Sequence, residues 1–452
     1  MKKIKLGCAV GSKSLPILSD PVYAFESNYC FTSKYSYWQR IIYKASVAVL
    51  LFSDRIALVP RSREGVRVIH TLKKLIGLEN DKTIPSAQSI IVKKTIGVID
   101  YVDEIASLLL KFDAYADFCL YGFFTYELIN MKLGVDVPDT PLGIFYLPEI
   151  MSINKGPAFR YLIQSDRDIE LESGEPFVSD HKDIFELRKF STGESGVYEH
   201  LYDLSRDSIL SRKIRSVNPS FTISKETKVN PYEMYMRLKS INRAPYNFYM
   251  SDHGCDVVGS SPAMFMRVKS NRVETGPICG TISRGKSDEE DRFKIRKLLE
   301  SEKDDYELSE CVRVDMEAKK ISCDHVVVVN RKEIEKFTNV FHTSAHITGL
   351  LRSDKTIGNV IEDHLWPSTI VGSPVATAAR IVAENEVRNW YGGAFGYISV
   401  NNEIDFGTMI RCAALYKGVA TTRVGSTITK YSKAELEQNE LYAKASLMLG
   451  VL

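Results

Sequence analysis

Apolar residues recur in short alternating or continuous blocks along most of the chain, and long amphipathic stretches are few. Ser46 to Phe52 and Asp54 to Val59 read as strands about a turn at Ser53-Asp54, and Gly143 to Leu147 as another strand. Val102 to Phe112 has helical apolar spacing. A strand-rich tract follows at Asn247 to Met250, Asp256 to Gly259, Met264 to Val268 and Arg272 to Glu274. Asp288 to Leu299 and Asp304 to Arg313 read as helices, and Asp324 to Asn330 as a strand. Ala376 to Glu386 reads as a helix. Gly392 to Val400 and Thr408 to Leu415 read as strands joined by a turn at Asn401-Asn402. Val419 to Thr429 is a further strand, and Lys433 to Leu449 a closing helix. No regular βαβ rhythm appears, so the pattern predicts an α+β protein with large antiparallel sheets. The charged, Ser- and Gly-rich stretch from Ser165 to Gly196 is the expected boundary, with an N-terminal subdomain over 1–185 and a catalytic domain over 190–452.

Composition narrows the class. The chain has 452 residues, 44% hydrophobic and 26% charged, with a formal net charge of +2. Nothing in that balance points to nucleic acid or to an anionic membrane. The longest apolar run, Ala45 to Phe52, is too short to span a bilayer. Eight cysteines without a C-x-x-C pair suit reduced thiols in a cytoplasmic protein.

Three groups could carry chemistry. Glu437, Glu440 and Lys444 share one face of the closing helix, and Asp304 and Glu307 are three apart on an earlier one. Such spacing is usual on a solvated face. Brought together, the four carboxylates would suit a hard cation such as Mg²⁺. Glycine-rich turns at Gly276-Pro-Ile-Cys-Gly-Thr281, Gly372-Ser-Pro374, Gly392-Gly393 and Gly425-Ser-Thr427 could admit an anion to backbone N–H groups, or could simply be tight turns. Arg411, between Met409-Ile410 and Cys412-Ala413, is a charge in an apolar strand and calls for a partner or an anionic ligand. His342 and His346 are four apart without the Glu of a zinc-protease helix, so that chemistry is excluded.

These segments, in order, resemble the chorismate-utilising enzymes typified by the large subunit of anthranilate synthase. The N-terminal resemblance lies in Ser27-Asn-Tyr29 with Lys34-Tyr-Ser-Tyr-Trp38, Leu120-Tyr-Gly122 through Tyr126-Glu127, and Asn242-Arg-Ala-Pro-Tyr246. The C-terminal motifs are Ser261-Pro262, Pro277 to Thr281, Lys303-Asp304 with Glu307-Leu308, His342-Thr343, Thr369 with Gly372-Ser-Pro374, Trp390-Tyr-Gly-Gly393, Ile410-Arg411, Gly425-Ser-Thr427, and Glu437/Glu440 before Lys444-Ala445. The resemblance implies a two-layer body of antiparallel sheets flanked by helices.

It also implies roles. Asp304, Glu307, Glu437 and Glu440 are expected to hold Mg²⁺. Gly425, Ser426 and Thr427 would meet the ring carboxylate of chorismate, with Lys444 beside them. Tyr391 and Arg411 would hold the enolpyruvyl carboxylate, for which a guanidinium fork is suited. His342 is expected in acid/base steps, with Thr281 and Thr369 against the substrate. The implied reaction adds ammonia at C2 and eliminates pyruvate to give anthranilate.

Departures keep other products open. Cys279 stands where enzymes that aminate at C4 carry a lysine nucleophile, which disfavours that reaction. Met316-Glu-Ala318 replaces R-N-D, Val375 ends a motif that otherwise ends in Lys, and Ala263 replaces Glu. The first two resemble aminodeoxyisochorismate synthases of secondary metabolism, which retain the enolpyruvyl group. An isochorismate or salicylate synthase would need a lysine base, whose matching stretch is Lys213 to Val217. A non-catalytic paralogue is the remaining alternative. No glutaminase segment follows Lys444, so ammonia is expected from a separate glutamine amidotransferase subunit or from solution; the chain is compatible with a homo- or hetero-oligomer.

Overall fold

The computed structural model describes residues 4–5, 9–11, 20–27, 38–76, 90–93, 97–109, 112–113, 119–137, 140–155, 158–163, 197–211, 213–242, 244–252 and 255–452. The expected boundary at Ser165 to Gly196 and the Lys34 to Tyr37 part of the N-terminal motif lie outside the described residues.

Two long strands organise the body: β1 (Trp38–Leu51) and β2 (Gly143–Lys155), paired antiparallel along their length. Three more elements recur below: β3 (Ile278–Ser283), helix α1 (Glu302–Ser322) and β4 (Val340–Leu351). The last is helix α2 (Ala434–Leu449). From β1 one sheet runs through Tyr23–Ser27, Tyr246–Asp252, Cys255–Ser261, Cys412–Tyr416 and Val419–Gly425 to Ser220–Glu226. From β2 the other runs through Cys119–Phe124, Ala394–Ser399, Ile404–Thr408, Met264–Lys269 and Arg272–Thr275 to β4, which also pairs β3. Every pairing in this branched ladder is antiparallel, as the strand pattern predicts.

Aromatic residues fill the space between the sheets. Phe248 stacks on Phe395 with centroids 3.7 Å apart, and Phe25 meets Phe395 edge-on at 5.8 Å. A second core, with Trp366, Phe265, Val360 and Ile361, lies under the helices that cover the outer face of the second sheet. The two layers bury their apolar faces on each other and on helices, as an α+β body must. Among the described residues no helix is long and apolar enough to cross a membrane. The described cysteines, Cys119, Cys255, Cys279, Cys311, Cys323 and Cys412, are all buried thiols in no disulfide.

Most expected elements are present with shifted ends. Three differences matter. The helix expected to end at Arg313 continues to Ser322, because Met316-Glu-Ala-Lys-Lys320 has high helix propensity although its apolar spacing is weak. The strand expected over Thr408 to Leu415 is two, Ile404–Thr408 and Cys412–Tyr416. The break falls at Arg411, whose φ is 52°, so Arg411 is not inside a strand. The strand expected over Val419 to Thr429 ends at Gly425, and Ser426 and Thr427 lie beyond it.

Close approach of strands requires glycine at Gly396, opposite Gly122. A Cβ at Gly396 would stand 1.9 Å from the Asp405 carbonyl oxygen, and Tyr23 donates its hydroxyl to the Gly396 carbonyl at 3.0 Å. Gly396→Ala is expected to lower the unfolding free energy by about 3 kcal/mol through overpacking, measured by urea denaturation.

Candidate active site

The site is assembled where the antiparallel pair β3–β4 meets the first turn of α1, the middle of α2 and the loop around Arg411. The Ser301 hydroxyl caps α1 by accepting from the Asp304 amide at 3.2 Å, which starts the helix so that Asp304 and Glu307 occupy its first turns. In this pairing Thr281 stands opposite His342, with a register shift between Cys279 and Thr281. Gly280 supplies that irregularity with φ 54°. A side chain there would also press on Asp304, since a Cβ would lie 3.0 Å from its Oδ1.

The bulge turns the Gly280 carbonyl toward His342, whose Nδ1 lies 2.8 Å from it and 3.0 Å from Thr281 Oγ1. A carbonyl only accepts, so the proton belongs on Nδ1 and Nε2 keeps its lone pair. That lone pair faces Arg411 Nη2 at 3.4 Å. Burial, with the Arg411 charge second, lowers the His342 pKa from 6.5 to about 3, so the ring is neutral at physiological pH.

Arg411 is itself buried, and burial lowers its pKa to about 10. Among the described residues it makes no ion pair, and its neighbour His342 is uncharged. The Glu440 carboxylate offsets part of that cost through its field but makes no ion pair, and a desolvated guanidinium without a contact carboxylate is suited to receive an anion.

The acidic side is the converse. Lys303 Nζ lies 2.7 Å from Glu437 Oε1, 3.7 Å from Glu307 Oε1 and 3.9 Å from Glu440 Oε2. Glu440 Oε1 pairs with Lys444 at 2.7 Å, and Lys444 also donates to the Gly425 carbonyl at 2.9 Å. Burial raises the proton affinity of Glu307, Glu437 and Asp304, with neighbouring carboxylates adding to it. Glu440 is shifted down: burial opposes this, and Lys444 and Lys303 outweigh it. Among the described residues no group of three or more His, Cys, Asp or Glu side chains is already gathered at metal-holding distance. The donor set nevertheless suits a hard cation. Glu307 Oε1 is buried without a hydrogen bond, and the charge set against Glu437 Oε1 is the Lys303 ammonium at 2.7 Å.

Between these two sides lies a pocket. Of the expected residues, Thr281, His342, Thr369, Tyr391, Arg411, Gly425, Thr427, Lys444, Glu307 and Glu440 line it. Glu437 and Asp304 stand behind its acidic wall. Ser426 is fully buried and does not line it; its amide donates to the Pro219 carbonyl at 3.3 Å. Gly425 is required here, because a Cβ would lie 2.4 Å from Asn218 Oδ1 and 2.7 Å from the Tyr391 hydroxyl.

Sequence reasoning missed Asn218. Its Nδ2 donates to the Thr369 carbonyl and to Thr427 Oγ1, each at 3.1 Å, and its buried Oδ1 makes no hydrogen bond. The only signal was its place one residue after the Lys213 to Val217 stretch. Lys213 itself is exposed and outside the pocket. Also missed was the support behind the pocket. Buried Glu386 pairs with Arg388 at 3.0 Å and Arg423 at 2.9 Å, and Arg388 donates to the Ile370 carbonyl at 2.8 Å.

A family model described as chorismate binding enzyme matches residues 59–450. The anthranilate synthase of Azospirillum brasilense is 29% identical over 350 residues, 72% of this chain and 47% of that protein. The anthranilate synthase component 1 of Acetivibrio thermocellus is 37% identical over 234 residues, 50% of this chain and 47% of that protein. The chain thus spans about half the length of these curated relatives. Among solved structures, anthranilate synthase component I from Streptococcus pneumoniae aligns with a TM-score of 0.67 at 21% identity, covering 93% of this chain and 94% of that one. The menaquinone-specific isochorismate synthase from Escherichia coli aligns at 0.68 and 17%, covering 99% and 95%. At these identities the likeness establishes the fold.

The His342 environment has a stability consequence. The unfolded chain binds more protons than the folded one between pH 6.5 and about 3, so stability falls as pH falls through that window. Replacing the ring by an amide, His342→Gln, is expected to make the acid limb shallower. The difference should reach about 3 kcal/mol near pH 4, read from urea unfolding at successive pH values.

Proposed function

The chain belongs to the chorismate-binding enzymes, and we propose that its pocket carries out an anthranilate-synthase-type lyase reaction. Ammonia adds at C2 of chorismate, the C4 hydroxyl leaves, and pyruvate is then eliminated. The observation that carries the reading is the pairing of a buried, unpaired Arg411 with an acidic cluster across one pocket.

In this reading Arg411 and the Tyr391 hydroxyl bind the enolpyruvyl carboxylate, and the guanidinium fork fixes its plane. The Gly425 and Thr427 backbone and Lys444 meet the ring carboxylate, with Glu440 holding Lys444 in place. Asp304, Glu307, Glu437 and Glu440 would hold Mg²⁺ directly or through water. Bound there, the ion would neutralise the ring carboxylate and the charge that develops as the hydroxyl departs. The His342 Nε2 lone pair is available to take the C2 proton when pyruvate leaves, and a bound dianion raises its basicity from the low value of the empty pocket. Apolar Ile278, Ile370, Ile410 and Val424 limit water around the reacting ring. Ammonia is supplied by a separate glutamine amidotransferase or from solution. The buried thiols, none in a disulfide among the described residues, favour a cytoplasmic setting.

A second reading stops at aminodeoxyisochorismate. Met316, in the place of the Arg in R-N-D, packs on the apolar cluster of Cys279, Leu308 and Cys311 instead of presenting a charge. C4 amination is disfavoured, since Cys279 is a buried thiol bonded to Cys311 Sγ at 3.2 Å and shifted far up by that bond and by burial. The exposed position of Lys213 counts against it as an isochorismate-type base.

Purified protein given chorismate, Mg²⁺ and ammonium is expected to release pyruvate and a fluorescent aromatic amine. An amino product that keeps its enolpyruvyl group would favour the second reading. Either turnover should drop at least about 100-fold in Glu440→Ala. A wild-type protein that leaves chorismate unchanged sinks both.

A further inference from the structure

We infer that Lys303 is the resident counter-ion of the acidic cluster and that a divalent cation must displace it. The inference rests on the metal reading above and concerns how that metal is admitted.

The geometry places the Lys303 ammonium among three carboxylates drawn from two helices, at 2.7, 3.7 and 3.9 Å. Glu307 comes from α1, on the same face one turn after Lys303; Glu437 and Glu440 come from α2. With the metal-free helices held at this separation, the lysine is what offsets their mutual repulsion. The two oxygens of Glu440 are divided: Oε1 goes to Lys444 and Oε2 faces Lys303. Lys444 is thereby tied to the substrate side, through Gly425, while Lys303 serves the carboxylates alone.

Neutralisation by Lys303 is incomplete. An ammonium offers one charge and three donors against three carboxylates, and Glu307 Oε1 stays buried without a hydrogen bond, 3.7 Å from the ammonium. Glu307 and Glu437 are 9% and 1% exposed, so both are poorly solvated. A divalent cation brings twice the charge and takes oxygen from several directions.

The two cations exclude each other. Held by the same oxygens, an ammonium and a divalent ion would repel at contact distance in a poorly solvated site. The Lys303 side chain is 26% exposed, so its four-carbon stem can carry the ammonium out to solvent. Metal entry therefore opposes an existing ion pair, and the threshold for metal is set by Lys303.

The test is titration of Mg²⁺ into the full chain by calorimetry, with Mn²⁺ followed by electron paramagnetic resonance, in wild type, Lys303→Met and Lys303→Arg. Removing the ammonium should tighten metal binding by about tenfold or more, while Lys303→Arg binds like wild type. Without metal, Lys303→Met should melt below wild type, since its carboxylates are left uncompensated, and Mg²⁺ should raise its melting temperature more than that of wild type. Metal affinity in Lys303→Met equal to or weaker than wild type would overturn the inference alone. Failure of every variant to bind either ion would overturn the metal reading with it.

Discussion

Burying a guanidinium without an ion pair is the constraint on which the pocket depends. Arg411 is 7% exposed, and the side chain it meets at hydrogen-bond distance is a neutral histidine. Desolvation of a cation costs several kcal/mol unless a partner compensates it. The fold holds Arg411 there by breaking the sheet, with a left-handed residue between two strands. Across the pocket the imbalance is reversed, with carboxylates outnumbering the lysines among them. A ligand that brings an anion to one side and shares a cation with the other relieves both.

The rest of the body keeps these unmatched charges apart and fixed. The β3–β4 pairing sets His342 through the Gly280 bulge, which aims a carbonyl at Nδ1 and frees Nε2. Glu386, Arg388 and Arg423 form a network beneath the pocket, joined to the Asn218 and Ile370 carbonyls. One carboxylate there faces two guanidiniums, and Arg423 also lines the pocket, so the network braces the site and adds to its positive side.

The fold class was legible because half-buried strands keep a period of two, and the ordered motifs point to one family. The acidic pairs were legible too: Glu437 with Glu440 and Asp304 with Glu307 keep one helical face each. What spacing could not tell was that a lysine adjoining one pair would turn into the cluster. Arg411 was read as a strand residue because apolar neighbours on both sides mask a local reversal. Asn218 carries no pattern of its own, since Thr369 and Thr427 are far away in sequence, and Glu386 reaches Arg388 two residues on but meets Arg423 only through the fold. Ser426 was expected at the pocket because of its neighbours, yet the chain turns it inward. The division near residue 185 falls outside the described residues.

The central claim is that Arg411 is an anion receptor whose ligand is a carboxylate of chorismate. Titration of chorismate with wild type and with Arg411→Met, without ammonium, tests it most directly. Methionine keeps much of the apolar bulk and removes the charge. The account predicts that wild type binds and that Arg411→Met, still cooperatively folded, binds at least about 100-fold more weakly. Equal affinity in the two proteins would contradict it.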